Sequence, residues 1–397
     1  MMSVWSSLVG QDAAVAKLSE AAASARAIVA SRGSGRATDE ARSMSHAWLI
    51  TGPPGSGRSV AARAFAAALQ CTGATPGCGQ CPGCRTTMGR TNADVLFAAT
   101  ETSIINVETA RSLVLQAQSS PSQGLWRVIV VEDADRLGES GANALLKAIE
   151  EPPEHTVWLL CAPSPEDMIA TIRSRCRHLG LRIPTATAVA DLLVREGIAT
   201  PEVALEAARA AQSHIGLARA LARDPQMRER RRNIITAPAS VRSVGEAVMA
   251  ADRLLETAKA QADAQVSDRN AREKADLLRQ LGMEEGESAT KASRAMLRQL
   301  EEDQKRRSKR ALTDAIDRAL IDLLAIYRDV LMVQVGGDGE LINTDLSELV
   351  HQIAHDSTPH QTLARVDHIE TARKRLVANG NPLLVLEDMA ISLRPQA

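Results

Sequence analysis

Cys71, Cys78, Cys81 and Cys84 are spaced C-x6-C-x2-C-x2-C, and the stretch PGCGQCPGC supplies tight turns between them. Four thiolates at such spacing suit a closed tetrahedral zinc site. With every position filled by protein, no coordination site is left for substrate. The ion is therefore expected to be structural, a staple for a surface loop. Cys161 and Cys176 stand apart from this group.

A second constellation is TGPPGSGRS at 51–59, which follows an apolar run and precedes a helical pattern. Such a loop cradles phosphate. Gly52, Gly55 and Gly57 let backbone N–H groups turn inward, and a helix N-terminus adds positive potential. The motif GxxxxGK[ST] is met except at Arg58, which stands where lysine is required. Lysine reaches between phosphates as a compact ammonium, whereas arginine is a bulky planar fork. Hydrolysis is expected to be impaired, while ATP or ADP binding could survive on the glycine backbone and Ser59, a candidate magnesium ligand. The alternative is a glycine-rich turn that holds no ligand.

VIVVEDADRL at 128–137 is an apolar run ending in acids. That is how a strand presents carboxylates to magnesium and water, with Glu132 and Asp133 in the two positions. In the P-loop proteins that this stretch resembles, active members read Asp and then Glu, so the order is exchanged here. A carboxylate one methylene too short is poorly placed as a base, and the acids could simply mark a strand end. TIRSRC at 171–176 places Ser174 and Arg175 after a further apolar run. Without other information, an arginine flanked by Arg173 and Arg177 is a solvated charge.

The elements that must position these residues come in two styles. Up to about Pro184, short apolar runs (HAWLI, WRVIVV, TVWLLCA) alternate with helical segments, the pattern of a parallel sheet covered by helices. After Pro184, alanine- and leucine-rich helical stretches such as 187–196 and 201–222 take over. Residues 251–312 are rich in charge around the break LGMEEGES, as in a solvated helical arm. The segment 313–335 regains apolar helical spacing before the turn GGDG, and helices near 345–355, 361–378 and after Pro382 complete a third region.

The chain has 397 residues, enough for two or three domains. Net charge is −1, so no global basic field holds nucleic acid to it. Aromatic residues make up only 2%, which argues against a base-stacking surface. No apolar run is long enough to span a bilayer and no export signal is recognisable, so a cytosolic, reducing setting is expected.

Taken together, the motifs resemble those of the clamp-loader branch of the AAA+ proteins. The likeness runs from SLVGQDAAVAKL at 7–18 through the P-loop, the cysteine insert, the acidic strand, GANALLKAIEEPP at 141–153 and Ser174-Arg175-Cys176, and returns in ANGNPLLVLEDMAISL at 378–393. It implies an α/β P-loop AAA+ module over 1–183, with helices on both faces of a parallel sheet and an inserted zinc module at 71–84. It further implies a small helical lid over 184–250, the arm at 251–312, and an all-α collar over 313–397 for oligomerisation.

The resemblance also assigns roles. Val9 and Gly10 belong to the box beside the nucleotide base, and Arg175, with Ser174, to an arginine finger that reaches a neighbour's ATP. Pro163 stands at the sensor-1 threonine, and Gly216 at the sensor-2 arginine. This is the pattern of a stator, which completes a partner's site and has lost its own. The partners so implied are the gamma or tau motor subunits, the delta subunit and, through the complex, the beta clamp and primed DNA, with no membrane. Two rivals remain: an active ATPase motor that tolerates Arg58, and a zinc-dependent nucleic-acid binder on a vestigial nucleotide fold.

Overall fold

The computed structural model describes residues 3–31, 43–98, 105–283 and 291–394. The chain divides into two compact units, Met1–Arg219 and Ala220–Ala397. This division lies beyond the composition change at Pro184, and the helices just after that proline group with the first unit. Residues 284–288 of the expected LGMEEGES break lie outside the described residues.

The first unit runs α1 (Asp12–Ser31), β1 (Ala47–Thr51), α2 (Arg58–Leu69), α3 (Pro82–Met88), β2 (Val95–Ala98), α4 (Val107–Ala117), β3 (Arg127–Val131) and α5 (Glu139–Glu150). It continues through β4 (Thr156–Ala162), α6 (Ala170–Arg173), β5 (Arg177–Gly180), α7 (Ala186–Arg195), α8 (Pro201–Ala210) and α9 (Ile215–Arg223), the last of which carries the boundary. The strands form one parallel sheet in the order β2-β3-β4-β1-β5. The three expected strands are its centre. Every residue of β1 and β4 is buried, which explains their unbroken apolar runs.

Alternate residues of these strands serve opposite faces. Trp48, Ile50, Val128, Val130, Val157, Leu159 and Cys161 pack with α1 and the alanine-rich α2. Leu49, Ile129, Val131, Trp158 and Leu160 pack with α4, α5 and α6. The alanines of α2 let its backbone approach the sheet, and Phe65 meets Trp48 edge-on at 5.2 Å. Helices thus cover both faces, and the loops carrying Gly52–Gly57 and Glu132 leave the C-terminal ends of β1 and β3. That edge is where open parallel sheets place their ligands.

The second unit consists of α10 (Pro225–Ser240), α11 (Val244–Leu281), α12 (Lys291–Gln334), α13 (Ser347–His355), α14 (Pro359–Val377) and α15 (Pro382–Ser392). Its core gathers Ile316, Leu320, Leu323, Ile326 and Val330 of α12 against Leu255, Val350, Ile369 and Leu386. Ser243 and Glu246 form a reciprocal cap at the start of α11, and Gly282 ends that helix at φ +63°. Among the described residues of the expected arm, Ala251, Leu255 and Ala258 join that core, and Ala262, Val266 and Ala311 form a separate thin buried seam. Among the described residues, no helix is long and apolar enough to cross a membrane.

Candidate functional site

β1 delivers the chain to the phosphate-binding loop, and the Gly52 N–H donates to Pro163 O at the end of β4 (3.1 Å). A Cβ at Gly52 would lie 2.5 Å from Ser56 Oγ, so the loop closes tightly only without a side chain. Gly55 and Gly57 adopt φ +91° and +88°, and Gly57 caps the start of α2. Arg58 and Ser59 open that helix. Ser56 Oγ and Arg58 Nη1 are buried with no hydrogen-bond partner. Two orphaned polar atoms beside a helix N-terminus suit the oxygens of a phosphate, so a phosphate-bearing ligand fits this cradle.

Around the loop the structure adds residues that motif matching missed. Gln11, next to Val9 and Gly10, donates through Nε2 to Ser56 O (3.3 Å) and Arg182 O (2.5 Å), and accepts from the Arg182 N–H through Oε1 (3.2 Å). It ties the N-terminal box to the phosphate loop and to the exit of β5. Val9 is buried and Gly10 is exposed. His214, two residues before Gly216, lies against Gly55: a Cβ on that glycine would be 3.0 Å from His214 Cα. The start of α9 therefore lies over the loop, with His214 Nδ1 capping the Leu217 N–H (3.1 Å). Buried polar glutamine and a helix-capping histidine have no fixed motif, so only tertiary contact reveals them.

Glu132 leaves β3 with its N–H donating to Ala98 O (3.1 Å), and its carboxylate accepts from Arg90 Nη2. Asp133 stands at the N-cap position of the short turn Ala134–Arg136 without a side-chain cap hydrogen bond. The expected acid pair is thus at a strand end beside the loop, but Glu132 is already engaged.

The cysteines converge. All four Sγ atoms lie within 4.8 Å of one another, and Cys71 Sγ and Cys81 Sγ are 3.9 Å apart. A tetrahedron of thiolates around zinc has an edge of about 3.8 Å, so the group could hold a metal ion such as zinc. The Gln80 and Cys81 N–H groups donate to Cys78 Sγ at 3.5 Å, and the Cys84 N–H donates to Cys81 Sγ at 3.4 Å. Burial alone would raise the Cys81 pKa, but hydrogen bonds from Cys84 and Thr72 prevail and hold it down to about 6. Arg26 of α1 clamps the loop through Ala74 O and Cys71 O, both at 2.8 Å. By contrast, burial pushes Cys161 and Cys176 up to about 12, which keeps them inert thiols.

Ser174 and Arg175 follow α6, away from the phosphate loop in sequence and exposed. Arg175 donates through Nε to Glu150 of α5 and through Nη1 to Thr171 O (2.8 Å).

Comparison with known proteins covers the segment that carries most of these features. Residues 36–185 match a family described as DNA polymerase III, delta subunit. Over 162 residues the chain is 35% identical to DNA polymerase III subunit gamma/tau of Mycobacterium tuberculosis, covering 39% of this chain and 28% of that protein. Over 165 residues it is 34% identical to DNA polymerase III subunit delta' of Pseudomonas aeruginosa, covering 41% and 50%. Over the matched segment, about two fifths of its length, the chain is similar to delta, delta' and gamma/tau subunits of DNA polymerase III.

The chain spans half or less of the length of these relatives. A crystal structure of a gamma-subunit-related protein from Thermotoga maritima aligns over 88% of this chain and 94% of that one, at 17% identity and a TM-score of 0.45. Within the matched segment, the sheet and its flanking helices bring together the phosphate loop and Pro163, with Glu132 at the end of β3, while the cysteine module packs on the far, C-terminal end of α2. Arg175 is held apart from that group on its own surface.

Proposed function

We propose that this chain is the delta-prime (stator) subunit of a DNA polymerase III clamp loader, assisting ATP-dependent loading of the beta sliding clamp onto primed DNA. One asymmetry carries the reading. Arg58 replaces the phosphate-loop lysine and Glu132 is held by Arg90, whereas Arg175 stands at the surface. Its own site lacks the parts for hydrolysis, while the arginine that serves a neighbour is retained.

In this proposal, Arg175 and Ser174 face the ATP of an adjacent gamma or tau motor subunit, and the delta subunit completes the hetero-oligomer. Zinc held by Cys71, Cys78, Cys81 and Cys84 is structural. A nucleotide held by Gly52, Gly55, Gly57, Arg58 and Ser59 would be bound without turnover. Residues 184–250 act as the lid, 251–312 as an arm that is solvated beyond the core residues Ala251, Leu255 and Ala258, and 313–397 as the collar. The chain works in the cytoplasm.

A second reading, an active gamma/tau-like motor, is favoured by one observation: the gamma/tau relative is as similar in sequence as the delta' relative. ATPase assays of the purified chain and of the reconstituted complex separate the two. The stator reading expects negligible turnover alone and loss of complex turnover on Arg175→Ala. Brisk turnover by the chain alone establishes the motor reading.

A further inference from the structure

Glu132 is 14% exposed, and Arg90 Nη2 lies 2.5 Å from its Oε1. The Arg90 side chain is 42% exposed in that contact, and its backbone and ring contact set its direction. It follows α3 in the left-handed region at φ +59°, its N–H donates to Thr87 O (3.1 Å), and its guanidinium lies over the Phe97 ring of β2 at 5.0 Å. A second cation stands close by. Burial lowers the pKa of Arg63 on α2, nearby Arg90 lowers it further and Glu132 opposes both, while Arg63 Nε is buried with no hydrogen-bond partner. Arg90 therefore holds the carboxylate at the end of β3 directly, and Arg58 adds a positive charge within the phosphate loop.

Magnesium needs anionic oxygen ligands in near-octahedral array. A carboxylate already neutralised by an arginine is a poor ligand, and a neighbouring fixed cation repels a divalent ion. Oxygens of a phosphate, by contrast, gain from those charges directly, and Arg58 Nη1 is a buried donor with no hydrogen-bond partner.

We propose that Arg90 is a specificity-determining residue of the phosphate-loop site: by holding Glu132 it takes the place of magnesium, so nucleoside di- and triphosphates bind there without a metal ion. Arg90 reaches Glu132 from the turn after α3, the helix that carries Cys84. The inference rests on reading the loop as a nucleotide site.

The test measures binding of a fluorescent ADP or ATP analogue to the full chain, with magnesium present or omitted. Wild-type affinity should be the same in both. Arg90→Asn, chosen because asparagine tolerates the left-handed backbone, should bind about fivefold or more tightly when magnesium is added. Adding Glu132→Gln to that variant should abolish the gain. Phe97→Leu, which removes the ring under Arg90 and leaves the turn intact, should shift binding in the same direction by less.

Magnesium-dependent binding by the wild type, or no gain in either single variant, overturns the inference; absence of binding throughout counts as no gain. Complex ATPase with Arg175→Ala is read separately. If it collapses while the Arg90 variants gain nothing, the stator reading stands and this inference falls.

Discussion

Arg175 is paired with Glu150 of its own chain, through Nε to the carboxylate, with the two side chains 39% and 42% exposed. An ion pair so open to water is worth less than about 1 kcal/mol. Arg175 can therefore exchange Glu150 for an anion on another molecule at little cost. Arg175→Ala should lower ATP turnover at the interface it serves by about a thousandfold, whereas Glu150→Gln should change it by less than about fivefold. Steady-state ATPase of the reconstituted complex reads both, and equal losses would make the arginine a structural residue.

The cysteine cluster should hold one zinc ion per chain. Removing it leaves four thiols converging in a loop that Arg26 and the segment Val4–Ser7 grip from outside. Several kcal/mol of folding free energy should go with the metal. Chelation should lower the melting temperature and open Cys71, Cys78, Cys81 and Cys84 to alkylation, while the fully buried Cys161 stays protected until global unfolding. Mass spectrometry of the alkylated chain checks this site by site.

Asp94 is fully buried and accepts from the N–H groups of Ser122, Gln123 and Gly124 at 2.6, 2.8 and 2.6 Å. Burial by itself would raise its pKa, but those donors and the Ser122 hydroxyl outweigh it and hold the carboxyl below the usual range. A depressed folded pKa contributes stability above the unfolded value of about 3.9, and the contribution is lost as pH falls through the folded value. Asp94→Ala should cost about 3 kcal/mol at neutral pH and remove this part of the acid dependence. Denaturant titrations from neutral pH to below pH 4 measure both effects.

Gly83, inside CPGC, packs on the end of α2: a Cβ there would lie 2.1 Å from Gln70 O. Gly83→Ala must push α3 away from α2 and should destabilise the first unit by about 2 kcal/mol or more. Gly245, in the first turn of α11, has open space around the same position and an ordinary φ. Gly245→Ala should stabilise by about 0.4–1 kcal/mol. Thermal melts of the two variants should therefore move in opposite directions.

Much of the fold was legible because the information is local. β1, β3 and β4 are buried throughout, or nearly so, and read as unbroken apolar runs, and the helices of the second unit show their stripes at helical spacing. The edge strands β2 and β5 were not legible. Each is four residues long with one fully buried side chain, so neither leaves a pattern. Motif spacing likewise gave the four cysteines and the phosphate loop, since both are short-range arrangements in which neighbours in sequence are neighbours in space.

By itself, then, the sequence determined which residue types were available for phosphate, metal and a neighbouring site, and that Arg58 stands where lysine belongs. Only the tertiary structure decided which of them are engaged. Arg90 with Glu132, Gln11 with Ser56 and Arg182, His214 with Gly55, and Arg175 with Glu150 are pairs far apart along the chain. Whether a charge meets its opposite depends on where strand ends and helix termini come to rest, and no local pattern of residues encodes that distance.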